Sequence, residues 1–160
     1  MSAPIRTGVW VLVAGLFLLH FFLHVGLGYS AGAPDLLTVA LLLAAREFGF
    51  ARAAGLGLVF GLLEDALSVL AFGANSVAMT VVGIGGAFTR DLFVGDSWVF
   101  RASYFFIGKW MRDLIHWIAV GDSVRQPFVD QVLIQGGIAA LYAAAVGFVL
   151  FEITGLGREA

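Results

Sequence analysis

The stretch at residues 55–72, GLGLVFGLLEDALSVLAF, places two adjacent carboxylates, Glu64 and Asp65, inside an apolar run long enough to cross a bilayer. On a helix turning about 100° per residue, Gly57, Gly61, Glu64, Asp65 and Ser68 share an arc of about 100°. Gly57 and Gly61 form a G-x-x-x-G pair that lets a second helix approach closely, so this face is expected to turn towards protein and not towards lipid. In a chain with 21 glycines such a pair arises readily by chance, and packing alone accounts for it. The acids carry more weight. An ionised carboxylate facing lipid near the bilayer centre costs about 2.5–3.5 kcal/mol on insertion scales, so the pair demands a partner or a water-filled space.

The rest of the chain has the same character. Of 160 residues, 61% are hydrophobic and only 12% charged, and the mean hydropathy is +0.98, which is too apolar for a soluble domain. Each crossing needs about 20 residues of helix, so the chain is expected to be an all-α integral membrane protein, a single compact bundle over residues 1–160. Six spans are predicted, at 8–28, 34–48, 51–72, 75–89, 98–120 and 129–151. The first is longer than the ~7–15 apolar residues of a signal peptide, which predicts a retained helix. The second, PDLLTVALLLAA, opens with Pro34, a residue suited to a first helical turn. It is short, covering about 18 Å, and is predicted to cross only while buried by its neighbours. Only Gly73 and Ala74 separate the third and fourth spans, which predicts a tight hairpin. The absence of cysteine excludes disulfides, thiolate metal sites and cysteine nucleophiles.

Orientation follows from the arginines. With a cytoplasmic N-terminus, Arg6, Arg46, Arg52, Arg90 and Arg158 fall in inside segments and Arg101 near the inside end of the fifth span, while Arg125 alone falls outside. Both termini are therefore predicted cytoplasmic. The connections at 29–33, 73–74 and 121–128 then face outward, and none is long enough to be a domain.

The fifth span, WVFRASYFFIGKWMRDLIHWIAV, is unusually charged. Arg101, Gly108, Lys109, Arg112 and His116 share about 100° of its surface, with Asp113 at the edge and Trp110 and Trp117 opposite, a basic stripe backed by aromatics expected to face lipid. Counted from the inside, Glu64, Asp65, Lys109 and Arg112 reach the same depth within about 5 Å. A buried charge network of those four residues is predicted.

Other constellations are weaker. His20 and His24 lie one helical turn apart, a spacing compatible with a metal, and His116 and Asp35 also fall towards the outer side; H-E-x-x-H is absent, interfacial histidines are the plainer reading, and no metal or cofactor is expected. Asn75 is expected to cap the fourth span, which carries Gly83 and Gly86 on a similar face. There is no P-loop, dinucleotide-binding glycine pattern or G-x-S-x-G, and nothing argues for nucleic acid.

Taken together, PDLL at residues 34–37, GLLEDALS at 61–68 and FGANSVAMTVVG at 72–83 resemble the rod shape-determining protein MreD family. The resemblance covers roughly residues 30–95 and rests on Pro34, Asp35, Gly61, Asp65, Gly73 and Asn75; the basic stripe is not part of it. It implies a non-enzymatic component of the bacterial cell-elongation machinery in the cytoplasmic membrane. Its expected partners are the bitopic protein MreC, the actin-like MreB filament and the synthases that build lateral peptidoglycan. Arg46, Arg52 and Arg90 would sit where anionic lipid or a filament-associated partner is met, although orientation alone accounts for each. The rival reading is a substrate-binding subunit of an energy-coupling-factor vitamin transporter, also a small six-span protein, in which interior charges and aromatics hold a polar ligand. An alanine-rich first helix would favour it, and the first span is dominated by leucine, phenylalanine and valine. A lipid-modifying enzyme using Glu64, Asp65 and the histidines comes last, for want of a catalytic signature.

Overall fold

The computed structural model describes residues 3–26, 35–68, 71–92 and 97–155, which form six helices and, among these residues, no strand. Helix α1 is Ala3–Phe21, continued by a π-helical turn over Phe22–Gly26; α2 is Leu36–Glu47, α3 Phe50–Ala66, α4 Ala74–Leu92 and α5 Trp98–Ala119. Helix α6, Gly136–Thr154, is preceded by π-helical turns over Val129–Gln135.

Neighbouring helices alternate in direction. The start of α1 meets the end of α2 where Trp10 stacks on Phe48 at 4.6 Å, and the start of α3 meets the end of α4 where Phe50 packs edge-on to Phe88 at 5.3 Å. The start of α5 meets the end of α6 through the Arg101–Glu152 ion pair at 2.5 Å.

Helix α2 is the axis of the bundle and touches each of the other five helices. Ten consecutive residues, from Leu36 to Ala45, are buried, which explains a sequence with no polar face. Asp35 starts the helix by accepting the Thr38 amide at 3.0 Å and the Thr38 hydroxyl at 2.6 Å. At its far end the Tyr104 hydroxyl donates to the Leu42 carbonyl at 2.8 Å.

The pairing of α3 with α4 is set by glycines. A Cβ on Gly57 would lie 2.3 Å from the Met79 carbonyl oxygen, and one on Gly61 would lie 2.4 Å from the Ser76 Cα. Gly83 of α4 answers from the other side, where a Cβ would meet the Ala53 carbonyl oxygen at 2.5 Å. The G-x-x-x-G face of α3 is therefore laid directly on the α4 backbone.

Two segments, Thr7–Gly26 and Val129–Thr154, are long and apolar enough to cross a membrane. Helices α3, α4 and α5 also turn large apolar residues outward, among them Leu58, Val59, Leu62, Val77, Val81, Phe88, Val99, Ile107 and Ile118, while Asp65 and Lys109 are buried.

Three boundaries or faces differ from the sequence reading. Helix α3 ends at Ala66 and does not continue to residue 72. A carboxylate in the last helical turn opposes the helix dipole, and Asp65 turns away to the start of α4. Asn75 is not the cap of α4: the Val77 amide donates to Gly73, which has φ +94° and occupies that position with a glycine's freedom. Trp110 and Trp117 are half-buried rather than fully outward; their indole N–H groups donate to the Val132 carbonyl at 3.1 Å and the Gln126 carbonyl at 2.9 Å, binding α5 to the segment that leads into α6. Arg125 caps the end of α5 by donating to the Ile118 and Val120 carbonyls. Pro34, Arg158 and the 29–33 connection lie outside the described residues, as do the side chains of Arg6 and Arg90.

Candidate functional site: a buried charge cluster

At the end of the bundle where α1, α3 and α5 finish and α2 and α4 begin, five elements bring their polar residues together. Alternating helix direction is what makes this happen: the N-cap of α2 and the first turn of α4 arrive at the same level as the last turns of α1 and α3 and the latter half of α5.

Arg112 is the hub. Its Nη2 donates to Glu64 Oε2 and, at 2.7 Å, to Asn75 Oδ1, while Nη1 donates to Asp113 at 3.2 Å and stands 3.7 Å from Asp35. Lys109 pairs with Asp113 at 2.5 Å and with Asp35 at 3.3 Å. On the far side, His20 Nε2 stands 3.6 Å from Glu64 Oε1. Lys109 and His20 are each only 4% exposed. Burying such charges is costly unless partners and hydrogen bonds replace water, and removing one partner costs more than the pair contributes.

Asp65 stands apart from this network, in contrast to the four-residue set expected from the sequence. It is fully buried and accepts the Asn75 amide at 3.0 Å, the Ser76 amide at 2.9 Å and the Ser76 hydroxyl at 2.5 Å. The orphan amides of the α4 N-terminus thus take the carboxylate that α3 cannot use. Adjacent residues on a helix differ by about 100°, enough to send Glu64 to α5 and Asp65 to α4.

Asp113, Asn75, Asp35 and His20 were not assigned to the network from the sequence. Asp113 was legible as a partner, since it follows Lys109 by one helical turn. Asp35 and His20 were not, because their approach depends on how α1 and α2 sit against α3. His24 stacks on His20 with ring centres 4.1 Å apart and is held by the His20 carbonyl, whereas His116 lies a turn beyond Arg112, half-buried. His20, Asp35 and Glu64 offer ligand atoms all within 4.8 Å of one another, the one grouping of this kind among the described residues.

The opposite end carries a smaller cluster. The Arg46 guanidinium lies over the Tyr104 and Phe151 rings at 5.4 and 5.3 Å, beside the Arg101–Glu152 pair. Between the ends, a groove of about 320 Å³ runs between α4 and α5 over Leu42, lined by Val81, Gly85, Thr89, Ser103, Ile107 and Met111. Compared with known proteins, the chain matches no family model, no curated protein and no solved structure.

Proposed function

We propose that the chain is a six-span bundle of the bacterial cytoplasmic membrane, both termini inside, acting as a non-enzymatic docking scaffold of the MreD type in the cell-elongation complex. One observation carries the reading: the residues of the MreD-like pattern that the structure describes have interlocking structural tasks at one junction. Gly61 admits the first turn of α4, Gly73 makes the bend before it, Asp65 holds the Asn75 and Ser76 amides, and Asn75 accepts from Arg112. Asp35 starts α2 and meets Lys109. Such residues build a frame, as a scaffold requires.

The six crossings are supported by the apolar outward faces of α3, α4 and α5, by the burial of the charges those helices carry, and by the enclosure of the short α2 inside the others. With so little chain outside its helices, the surfaces left for partners are helix faces in the membrane. In a vitamin-transporter subunit, interior charges would be turned towards a ligand; here Lys109 and Arg112 are bonded to Asp35, Glu64, Asp113 and Asn75.

The test places one tryptophan on each outward face, at Leu18 on α1, Gly85 in the α4/α5 groove and Leu141 on α6, and measures co-purification of an MreC-like bitopic protein. Loss at one face with retention at the others supports docking. Retention by all three, and by further variants covering the remaining faces, refutes it.

A further inference from the structure

Two polar atoms of the buried cluster have no hydrogen-bond partner: Arg112 Nε, an N–H donor that cannot hold a cation, and His20 Nδ1. His20 Nδ1 is inaccessible to solvent and has no hydrogen-bond partner, although the side chain is 5% exposed and its ring is turned to Glu64. An imidazole nitrogen in that state forfeits a bond that water would have given it. The Glu64 oxygen nearest the ring is Oε1, whereas Oε2 is taken by Arg112.

Asp35, Glu64 and Asp113 bring three carboxylates and Lys109 and Arg112 two cations: Lys109 pairs with Asp35 and Asp113, and Arg112 with all three. Glu64 Oε1 is left facing the His20 ring, and ligand atoms of His20, Asp35 and Glu64 converge within 4.8 Å.

We propose that His20, Asp35 and Glu64 bind one divalent transition-metal ion, with Lys109 and Arg112 orienting the two carboxylates from α5. The donor set of one imidazole and two carboxylates, drawn from α1, the start of α2 and α3, suits zinc or manganese, and these ligand atoms already lie within 4.8 Å of one another. Both carboxylates are steadied from outside the set, Asp35 by Thr38 and Lys109 and Glu64 by Arg112, the outer-shell support that metal ligands require. The ion would add a polar clamp between α1, α2 and α3 beside the Phe17–Phe60 stacking that already joins α1 to α3. The site is independent of the scaffold reading.

The experiment uses the full chain in mild detergent, stripped with a chelator and titrated calorimetrically with Zn²⁺, Mn²⁺ and Mg²⁺. Metal content is measured after gel filtration and helix content by circular dichroism. The expected result is saturable binding of one Zn²⁺ or Mn²⁺ per chain that Mg²⁺ does not reproduce. Binding should weaken at least about tenfold in His20→Gln with helix content retained, and be unchanged in His116→Gln. Glu64→Gln should lose binding too, but it also strands Arg112, so His20→Gln carries the decision. No saturable binding to the unaltered chain, unchanged affinity in His20→Gln, or equal binding of Mg²⁺ overturns the proposal.

Discussion

Replacing Gly61 by alanine would put a Cβ 2.4 Å from the Ser76 Cα and 2.6 Å from both the Asn75 carbonyl oxygen and the Ser76 nitrogen. These are backbone atoms and cannot rotate aside. Carbon contacts are comfortable from about 3.5 Å, so α3 and α4 must part by roughly 1 Å at this crossing. The Asp65 bonds to the Asn75 and Ser76 amides, now 3.0 and 2.9 Å, then stretch beyond hydrogen-bonding range. Overpacking costs about 1–3 kcal/mol and a hydrogen bond to a charged group is worth about 1.5–3 kcal/mol. Since the interface relaxes in part, a total loss of roughly 2–5 kcal/mol is expected, on the order of 5–15 °C in Tm for a chain of this size. The control is Gly55→Ala, where an added Cβ meets nothing within 4 Å and the helix gains about 0.5–1 kcal/mol. Thermal unfolding in detergent, followed by tryptophan fluorescence, reads both. A Gly61→Ala variant as stable as Gly55→Ala refutes the close α3/α4 contact.

Three further predictions concern charge, packing and topology. Glu64→Lys should destabilise by about 3–5 kcal/mol and recover part of that when combined with Arg112→Glu, whereas Asp65→Lys should gain nothing from Arg112→Asp; equal coupling in the two cycles, read by unfolding, contradicts the separation of Glu64 from Asp65. Tyr104→Phe removes the bond to the Leu42 carbonyl and should cost about 0.5–1.5 kcal/mol in the same assay, with an unchanged Tm telling against that anchor. Because the chain has no cysteine, Ser123→Cys and Phe50→Cys report topology directly: an impermeant maleimide should label the first in intact cells and the second only after permeabilisation, and the reverse pattern inverts the proposed orientation.

Much of the frame could be read from the chain, and the reasons differ by residue. The short second helix announced its burial through ten residues with no polar face, whereas the glycine pair at 57 and 61, a weak signal by itself in a chain with 21 glycines, gained weight from the acids on the same face. The contact of Glu64 with Arg112 followed from equal depth on parallel spans. What depth could not supply was azimuth between helices. Glu64 and Asp65 reach the same level, yet one faces α5 and the other the start of α4, and only the packed bundle decides which. The same holds for Trp110 and Trp117, placed opposite the basic stripe, whose indole N–H groups find carbonyls of the segment before α6. Asn75 was read as a cap from local chemistry, and the neighbouring Gly73, with its positive φ, took that position. The meeting of His20 with Asp35 and Glu64 depends on three elements at once and had no local signature.

The scaffold account is tested most directly by purifying the tagged chain from its native membrane in mild detergent and identifying, by mass spectrometry of one sample, both its protein partners and any bound small molecule. Recovery of an MreC-like bitopic protein with peptidoglycan synthases, and no stoichiometric organic ligand, is the predicted result. Recovery of transporter ATPase subunits, or of a tightly held vitamin-like molecule, would contradict it and turn the cluster around Arg112 into a ligand site.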